Sequence, residues 1–394
     1  MPCFAHVYGY STSMNRKNKN DVVAGEFESA RSVSGRSTTL PPVAYRSPAF
    51  FELEVERIFT REWFCIGHVG DIPERGDYRC VDFAGEPLVM VRDMTNRIHV
   101  MSRVCRHKWM EVVQDSGNTG SLTCPYHSWT YNLDGSLRGA PYMQECEIFD
   151  KGEIHLPALQ VETWGGFVWA NFDADCDESL NHKLASLSEH TKRYNLSKLN
   201  LVHRNDTNHK CNWKIMLENF NDFYHHLGLH GKSLQPYYPT EMSTYEPFDG
   251  AATVFHALPA ESTDNTLSGG WEPISTLNEQ ERGEILNVGI YPNLCITYEP
   301  ELVNVLLLYP LDHQTVGLSE YLLVPEETTR SPNFTDGVKR FNNANKEILD
   351  EDFTGCVRVQ AGVNSRFAGK GLLSHLEESA RHGNQWIIDR LFPK

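Results

Sequence analysis

Two short runs, Cys105-Arg-His107 and Cys124-Pro-Tyr-His127, constrain this chain more than any other feature. They read C-x-H and C-x-x-H, with sixteen residues between His107 and Cys124. The surrounding sequence, residues 76–172, consists of short β-like runs at 78–83, 87–91, 98–104, 121–124 and 129–132. These are punctuated by Ala84-Gly85, Thr95-Asn96, Ser116-Gly117 and Asp134-Gly135, the last a strong hairpin signal. Each Cys/His run therefore sits at the tip of a strand–turn–strand. Two such tips side by side would offer two sulfurs and two imidazole nitrogens to one centre.

Thiolates suit iron–sulfur clusters. Replacing two of them with neutral imidazoles on one iron lowers the cluster's negative charge and raises its potential, the mark of a Rieske [2Fe–2S] centre. Zinc also accepts two Cys and two His, but its usual finger spacing groups Cys with Cys and His with His. Here the two types are mixed within each loop. Four unrelated residues would not share composition, order and β context in this way.

With 394 residues the chain is too long for one small core, and two domains are expected. Residues 1–39 are polar and rich in Ser, Arg and Asn, and read as a flexible arm in which Met14 is an alternative start. Residues 40–172 read as an N-terminal amphipathic helix at 47–62 followed by the small all-β domain. Residues 173–394 read as a larger domain of antiparallel strands flanked by helices, onto which the N-terminal helix could pack. Its helices are expected at 180–194, 213–225, 338–349, 353–360 and 373–389, and its strands at 253–257, 286–291, 295–298, 302–308 and 315–323. The fold class is thus α+β.

A net charge of −16 argues against binding a nucleic-acid backbone. The ten cysteines are spread along the chain rather than packed into a disulfide framework. No apolar run approaches the roughly 18 residues of a membrane span, and the N-terminus lacks a signal-peptide layout. A cytoplasmic protein with mostly reduced thiols is expected. No glycine fingerprint for a dinucleotide precedes a helix; Gly165-Gly166 and Gly269-Gly270 are isolated turn signals.

A second constellation lies in NWKIMLENFNDFYHHLGLH, which contains Asp222-x-x-His225-x-x-x-x-His230. On a helix Asp222 and His225 share a face, and Glu218 sits one turn earlier. Gly228 lets the helix loosen, so that His230 can return to the same point. Two His and one carboxylate with open positions form the facial triad of oxygen-activating non-haem iron. A polar helix end with adjacent histidines is the plainer reading, and His226 shows that not every His need be a ligand.

The segment CRHKWMEVVQDSGNTGSLTCPYHSWTYNLDG resembles the Rieske domain of ring-hydroxylating oxygenase large subunits. The resemblance implies that Cys105 and Cys124 hold one iron of the cluster, and His107 and His127 the other. Lys108-Trp109-Met110 departs from the family's small Arg-Gly continuation, and Trp129 stands where the family packs an aromatic beside the cluster. The second run resembles the same family's Asp/Glu-x-x-His-x-x-x-x-His. By that resemblance His225 and His230 bind a mononuclear Fe(II). Asp222 is then an electron bridge to His127 of a neighbouring subunit, in a homotrimer or trimer-based oligomer.

LDEDFTGCVRVQAG resembles the family's acidic pair followed by Gln and Gly. That makes Asp352 the third ligand, with Asp350 and Glu351 as competitors; an acidic helix start favoured by the helix dipole is the plainer reading. The resemblance covers roughly residues 40–390. It implies a terminal oxygenase that takes electrons from a separate NAD(P)H-dependent reductase, directly or through a ferredoxin, and uses O2 to hydroxylate a small aromatic or quaternary ammonium substrate. The alternative is a Rieske-type electron carrier, which would need only the β-domain. Pocket candidates are Phe220, Phe223, Phe255, Tyr291, Tyr298 and Leu307, each of which reads more readily as plain core.

Overall fold

The computed structural model describes residues 24–248, 250–260 and 268–393. Residues 24–39, expected as part of a flexible arm, are packed against the body of the molecule. From Ala24 to Arg31 the chain forms a 3-10 helix in which Phe27 and Ala30 are fully buried. Phe27 stacks on Phe50 at 5.6 Å and meets Phe392 at 5.0 Å. Burying such a side chain contributes about 1.5–3 kcal/mol, which is ample reason for the segment to pack. Residues 1–23, including Met14, lie outside the described residues.

The small β-domain is built as its turn signals require. Strands Asp77–Phe83 and Glu86–Arg92 are joined by Ala84 and Gly85, both at positive φ, as a two-residue hairpin turn demands. Along Glu86–Arg92 alternate residues face opposite ways. Leu88 and Met90 join the large core of the molecule, whereas Val89 and Val91 join a small core with Leu122, Trp129 and Tyr131. Cys105 and Cys124 sit in that small core.

In the larger part, helix α1 (Pro48–Glu54) starts at a Ser47 cap and continues as a π-helical turn to Phe59. Helix α2 (Ala185–His190) is one of several short pieces that replace the single helix expected at 180–194. A seven-stranded antiparallel sheet follows, made of β1 (Asn200–His209), β2 (Ser243–Glu246), β3 (Ala252–Ala257), β4 (Ile285–Ile290), β5 (Leu294–Tyr298), β6 (Val303–Asp312) and β7 (Thr315–Val324). Its order is β1-β7-β6-β5-β4-β3-β2, so β2 to β7 lie in chain order as antiparallel neighbours and β7 returns beside β1. Helix α3 (Trp213–Phe220), helix α4 (Phe334–Val363) and helix α5 (Glu378–Leu391) pack around it. α4 is one continuous helix where two were expected, and α3 stops five residues earlier than expected.

Two buried polar assemblies join these parts. Lys214 and Glu54 form an ion pair at 2.5 Å with both side chains fully buried, and Trp213 Nε1 donates to the same carboxylate at 3.1 Å. Burial pushes Glu54 up and Lys214 down, each against the pull of the other. Such a pair fixes how α1 sits on α3 more than it adds net stability. Between the β-domain and the sheet, Asp71 accepts from Arg79 at 2.9 Å, Tyr321 at 2.9 Å and Arg204 at 3.1 Å.

Candidate metal centres

The two Cys/His loops have the same backbone construction. Cys105 N–H donates to Met110 O at 2.8 Å, and Trp109 N–H donates back to Cys105 O at 3.1 Å. In the second loop Cys124 N–H donates to Trp129 O at 2.8 Å, and Ser128 N–H to Cys124 O at 3.0 Å. Trp109 and Ser128, equivalent in the two loops, both have positive φ. The loops thus present their side chains to one place. The His107 and His127 rings lie 4.5 Å apart, and Trp129 stacks on His107 at 5.0 Å and 7°.

Tyr131 Oη lies 3.3 Å from Cys105 Sγ and accepts from Arg106 N–H at 3.0 Å. Burial raises the Cys105 thiol, so an unmetallated site would hold a thiol rather than the thiolate ligand. Nδ1 of His107 is buried without a hydrogen-bond partner. An orphaned imidazole nitrogen beside two thiols and a second imidazole fits a Rieske cluster, which would take up that nitrogen.

The second centre forms where α3 ends. Asn212 caps its start, accepting from Lys214 N–H at 3.0 Å, and Gln360 of α4 receives Asn212 N–H at 2.7 Å. After Phe220 the chain leaves the α-helix, and Asp222 begins a tighter turn rather than continuing the helix. Its carboxylate accepts the His225 backbone N–H at 3.0 Å and lies 3.2 Å from His225 Nδ1. The Asp222–His225 pairing is therefore made by a side-chain-capped turn, not by a shared helical face.

His225 Nε2 lies 3.5 Å and His230 Nε2 2.8 Å from the same oxygen, Asp352 Oδ1. The three donor atoms lie within 4.8 Å of one another, which suits a single ion with open positions. His230 is fully buried, and its Nδ1 meets Glu351 at 2.7 Å. Each imidazole thus has a carboxylate at its far nitrogen, the arrangement that fixes the tautomer of a ligating His. Burial opposes charge on His225, but Asp222 and Asp352 outweigh it and hold the imidazolium up to about 10. Burial also opposes ionisation of Asp352, yet its bonds to His225 and His230 pull it well below the usual carboxylate range. A metal cation would satisfy this paired charge by displacing the proton.

The competitors for the third position have other places. Glu351 orients His230, and the exposed Asp350 pairs with Lys346 one turn earlier. Glu218 does not face the centre: its carboxylate accepts from Tyr45 Oη at 2.5 Å, and burial raises it to about 7. His226 is buried and lies 3.3 Å from Tyr238 O through Nδ1; burial and the neighbouring charge of His225 lower it to about 3. Sequence reasoning missed the orienting role of Glu351 and missed Asn219, whose amide donates to Asp352 at 2.8 Å.

A cavity opens on this centre, lined by two of the candidates, Phe220 and Phe223, and by Tyr238, Asn287, Glu299, Asn304, Phe341 and Phe353. Phe255 stands behind Phe223, with ring centroids 4.9 Å apart. Tyr291, Tyr298 and Leu307 are closed core, away from the cavity. Glu299 and Asn287 carry no local sequence signal.

Two family models match the chain: the Rieske [2Fe–2S] domain over residues 62–158 and the ring hydroxylating alpha subunit catalytic domain over residues 196–392. The glycine betaine monooxygenase oxygenase subunit of Chromohalobacter salexigens is 34% identical over 197 residues, 50% of this chain and 44% of that protein. The chain thus spans about half the length of the curated relatives of that kind. The chloroplastic choline monooxygenase of Beta vulgaris is 24% identical over 359 residues, 90% of this chain and 77% of that protein. A solved quaternary ammonium Rieske monooxygenase superposes with a TM-score of 0.78 at 23% identity, covering 94% of this chain and 98% of that one, a likeness of fold. The Rieske domain implies a [2Fe–2S] cluster and the catalytic domain a mononuclear iron. With the catalytic-domain model matched over half its length and the Rieske model before it, the chain belongs to the ring-hydroxylating oxygenase alpha-subunit family.

Proposed function

We propose that this chain is a terminal oxygenase component that hydroxylates a small quaternary ammonium or N-methylated substrate. The observation that carries the reading is the His225–His230–Asp352 triad at the head of an aromatic-lined cavity. Cys105, His107, Cys124 and His127 would hold the [2Fe–2S] cluster; His225, His230 and Asp352 would hold the mononuclear iron. When bound, the cluster supplies single electrons and the mononuclear iron supplies oxygen activation. The protein's own part is to position substrate, exclude water and orient the ligands. An electron carrier would need neither the cavity nor the triad.

Asp222 is proposed as the bridge between His225 and His127 of a second copy. It touches His225, and its side chain remains 14% exposed, so one edge is open to a neighbour. Exposed Trp109, Met110 and Tyr126 flank the Cys/His loops and suit a subunit contact. A homotrimer, a separate NAD(P)H-dependent reductase and an optional ferredoxin complete the reading. Purified chain should contain about three irons and two sulfides, and should turn over with O2 only when a reductase is added. Iron without acid-labile sulfide, or sustained turnover by the single chain with NADH, would overturn it.

The cavity favours a cationic substrate over an aromatic hydrocarbon. Phe220, Phe223, Tyr238, Phe341 and Phe353 offer ring faces, and Glu299 offers a carboxylate. Among the described lining residues none is Lys or Arg, whereas Asn287, Asn304 and Asn345 offer neutral polar groups. A cation with a hydroxyl tail, as in choline, suits this lining better than one with a carboxylate tail.

Burial and then Glu301 push Glu299 up to about 8. Its carboxyl is neutral below that pH and ionised above it, so KM for a cation should fall as pH rises through about 8. At about pH 9, where the carboxyl is ionised, Glu299→Gln should raise KM by about 10- to 100-fold, the cost of a lost charged contact; below pH 8 the effect should be small, so the pH dependence should disappear. An unchanged KM would favour an aromatic hydrocarbon substrate.

A further inference from the structure

We propose that His190, Glu246 and His256 form a second divalent-cation site, of a kind suited to zinc, on the sheet face opposite the iron cavity. Strand register brings the groups together. His256 on β3 pairs with Thr244 of β2 and with Leu286 of β4. Glu246 lies two residues beyond Thr244, and Glu284 two residues before Leu286. Residues two apart on a strand face the same way, so a carboxylate flanks His256 on each side. His190, the last residue of α2, completes the set from above. The cavity instead takes Ile285 and Asn287, the alternate residues of β4, so the two centres lie on opposite faces.

The geometry has the parts of a metal site. His190 Nε2 is 3.6 Å and His256 Nε2 is 2.8 Å from Glu246 Oε2, and the three donor atoms lie within 4.8 Å of one another. Ligands about 2.0–2.1 Å from a zinc ion stand roughly 3.3 Å apart in a tetrahedron, so small side-chain shifts suffice. His256 Nδ1 meets Glu284 at 3.1 Å, the carboxylate–histidine contact that orients a ligating imidazole. Gln280 donates to the other oxygen of Glu284 at 3.3 Å. Among the described residues neither carboxylate has a Lys or Arg partner within ion-pair distance, so two negative groups are balanced by imidazoles alone. All three ligands are half-buried, which leaves a route for the ion and room for water as a fourth ligand.

The site ties α2 to β2, the edge strand that the chain enters soon after the turn carrying His225 and His230. It touches neither the cavity nor the iron ligands, and its role is to brace that edge.

The test uses holoprotein loaded with cluster and iron. Zinc chloride is titrated calorimetrically, and zinc and iron are measured after gel filtration. About one zinc per chain should bind without loss of iron, and the melting temperature should rise. His190→Ala/His256→Ala, which removes two ligands, should weaken zinc binding by more than the roughly 10- to 100-fold that outer-shell changes cost, while the visible spectrum and iron content persist. Glu246→Gln, which keeps the size of the side chain, should also weaken it and guards against misfolding of the double variant. Zinc uptake equal in all three proteins, uptake matched by release of iron, or no uptake at all would each overturn the site.

Discussion

Replacing His225 with alanine is expected to empty the mononuclear site and leave the [2Fe–2S] cluster in place. The triad has only three protein donors, and His225 Nε2 is one of the two nitrogens facing Asp352 Oδ1. Without it, one imidazole and one carboxylate remain, which is too few to hold Fe(II) against water and chelators. Asp222 and Asp352 also lose the imidazole that separates them, so the pocket left behind carries more uncompensated negative charge. The cluster should be indifferent, because Cys105 and Cys124 belong to a separate small core with Tyr131 and Trp129. Iron should fall from about three to about two per chain with sulfide unchanged at about two, and substrate turnover should vanish. The red-brown spectrum and the EPR signal of the reduced cluster should survive. Full iron content, or turnover within tenfold of the parent protein, would show that the triad has been misassigned.

How much of this was open to a reader of the sequence depends on whether the chemistry is local. The Cys105/His107 and Cys124/His127 loops were legible because both donors of each pair sit within four residues, and turn-formers mark their tips. His225 and His230 were legible in a similar way, six residues apart end to end on either side of Gly228. The end of α3 was misread because the apolar stripe of Trp213, Met216 and Leu217 is strong, although Asn221-Asp222 are turn-formers that end it. Strand β1, NLVHRNDTNH, went unread because its burial pattern is mostly intermediate and exposed, so it shows no hydrophobic alternation.

Distance in sequence hid more. Asp350, Glu351 and Asp352 differ by about 100° per step around α4, and only the docking of that helix decides which one meets both imidazoles. Glu54 pairs with Lys214, and Glu218 with Tyr45, across spans that no motif links. Glu299, which adds a carboxylate to the cavity lining, sits in a β-hairpin with no motif to mark it. The Cys and His donors are written locally; the carboxylate donor, orientation and specificity come from the packing of distant elements.

The most discriminating result should come from Asp222→Asn, which tests the link between the centres rather than the centres themselves. The substitution keeps size and shape. Asparagine Oδ1 can still accept the His225 backbone N–H that the carboxylate now receives at 3.0 Å, and can still face Nδ1, which lies 3.2 Å away. His225 should therefore stay oriented, and both iron and sulfide contents should be preserved. What changes is the second oxygen, which becomes an amide that donates and cannot accept an imidazole N–H from His127 of a second copy. The negative charge that raises the basicity of His225 is lost as well.

Steady-state turnover should drop by at least about 100-fold, the upper end of what outer-shell changes at metal sites produce. The diagnostic reading is a single-turnover experiment. With the cluster reduced and substrate and O2 supplied, the EPR signal should persist in the variant and decay in the parent protein. If Asp222 only orients His225, which asparagine also does, iron content and the decay of the cluster signal should both match the parent protein. Normal turnover with normal iron would remove Asp222 from the proposed path between the two centres, and with it the main reason to propose a ring of subunits.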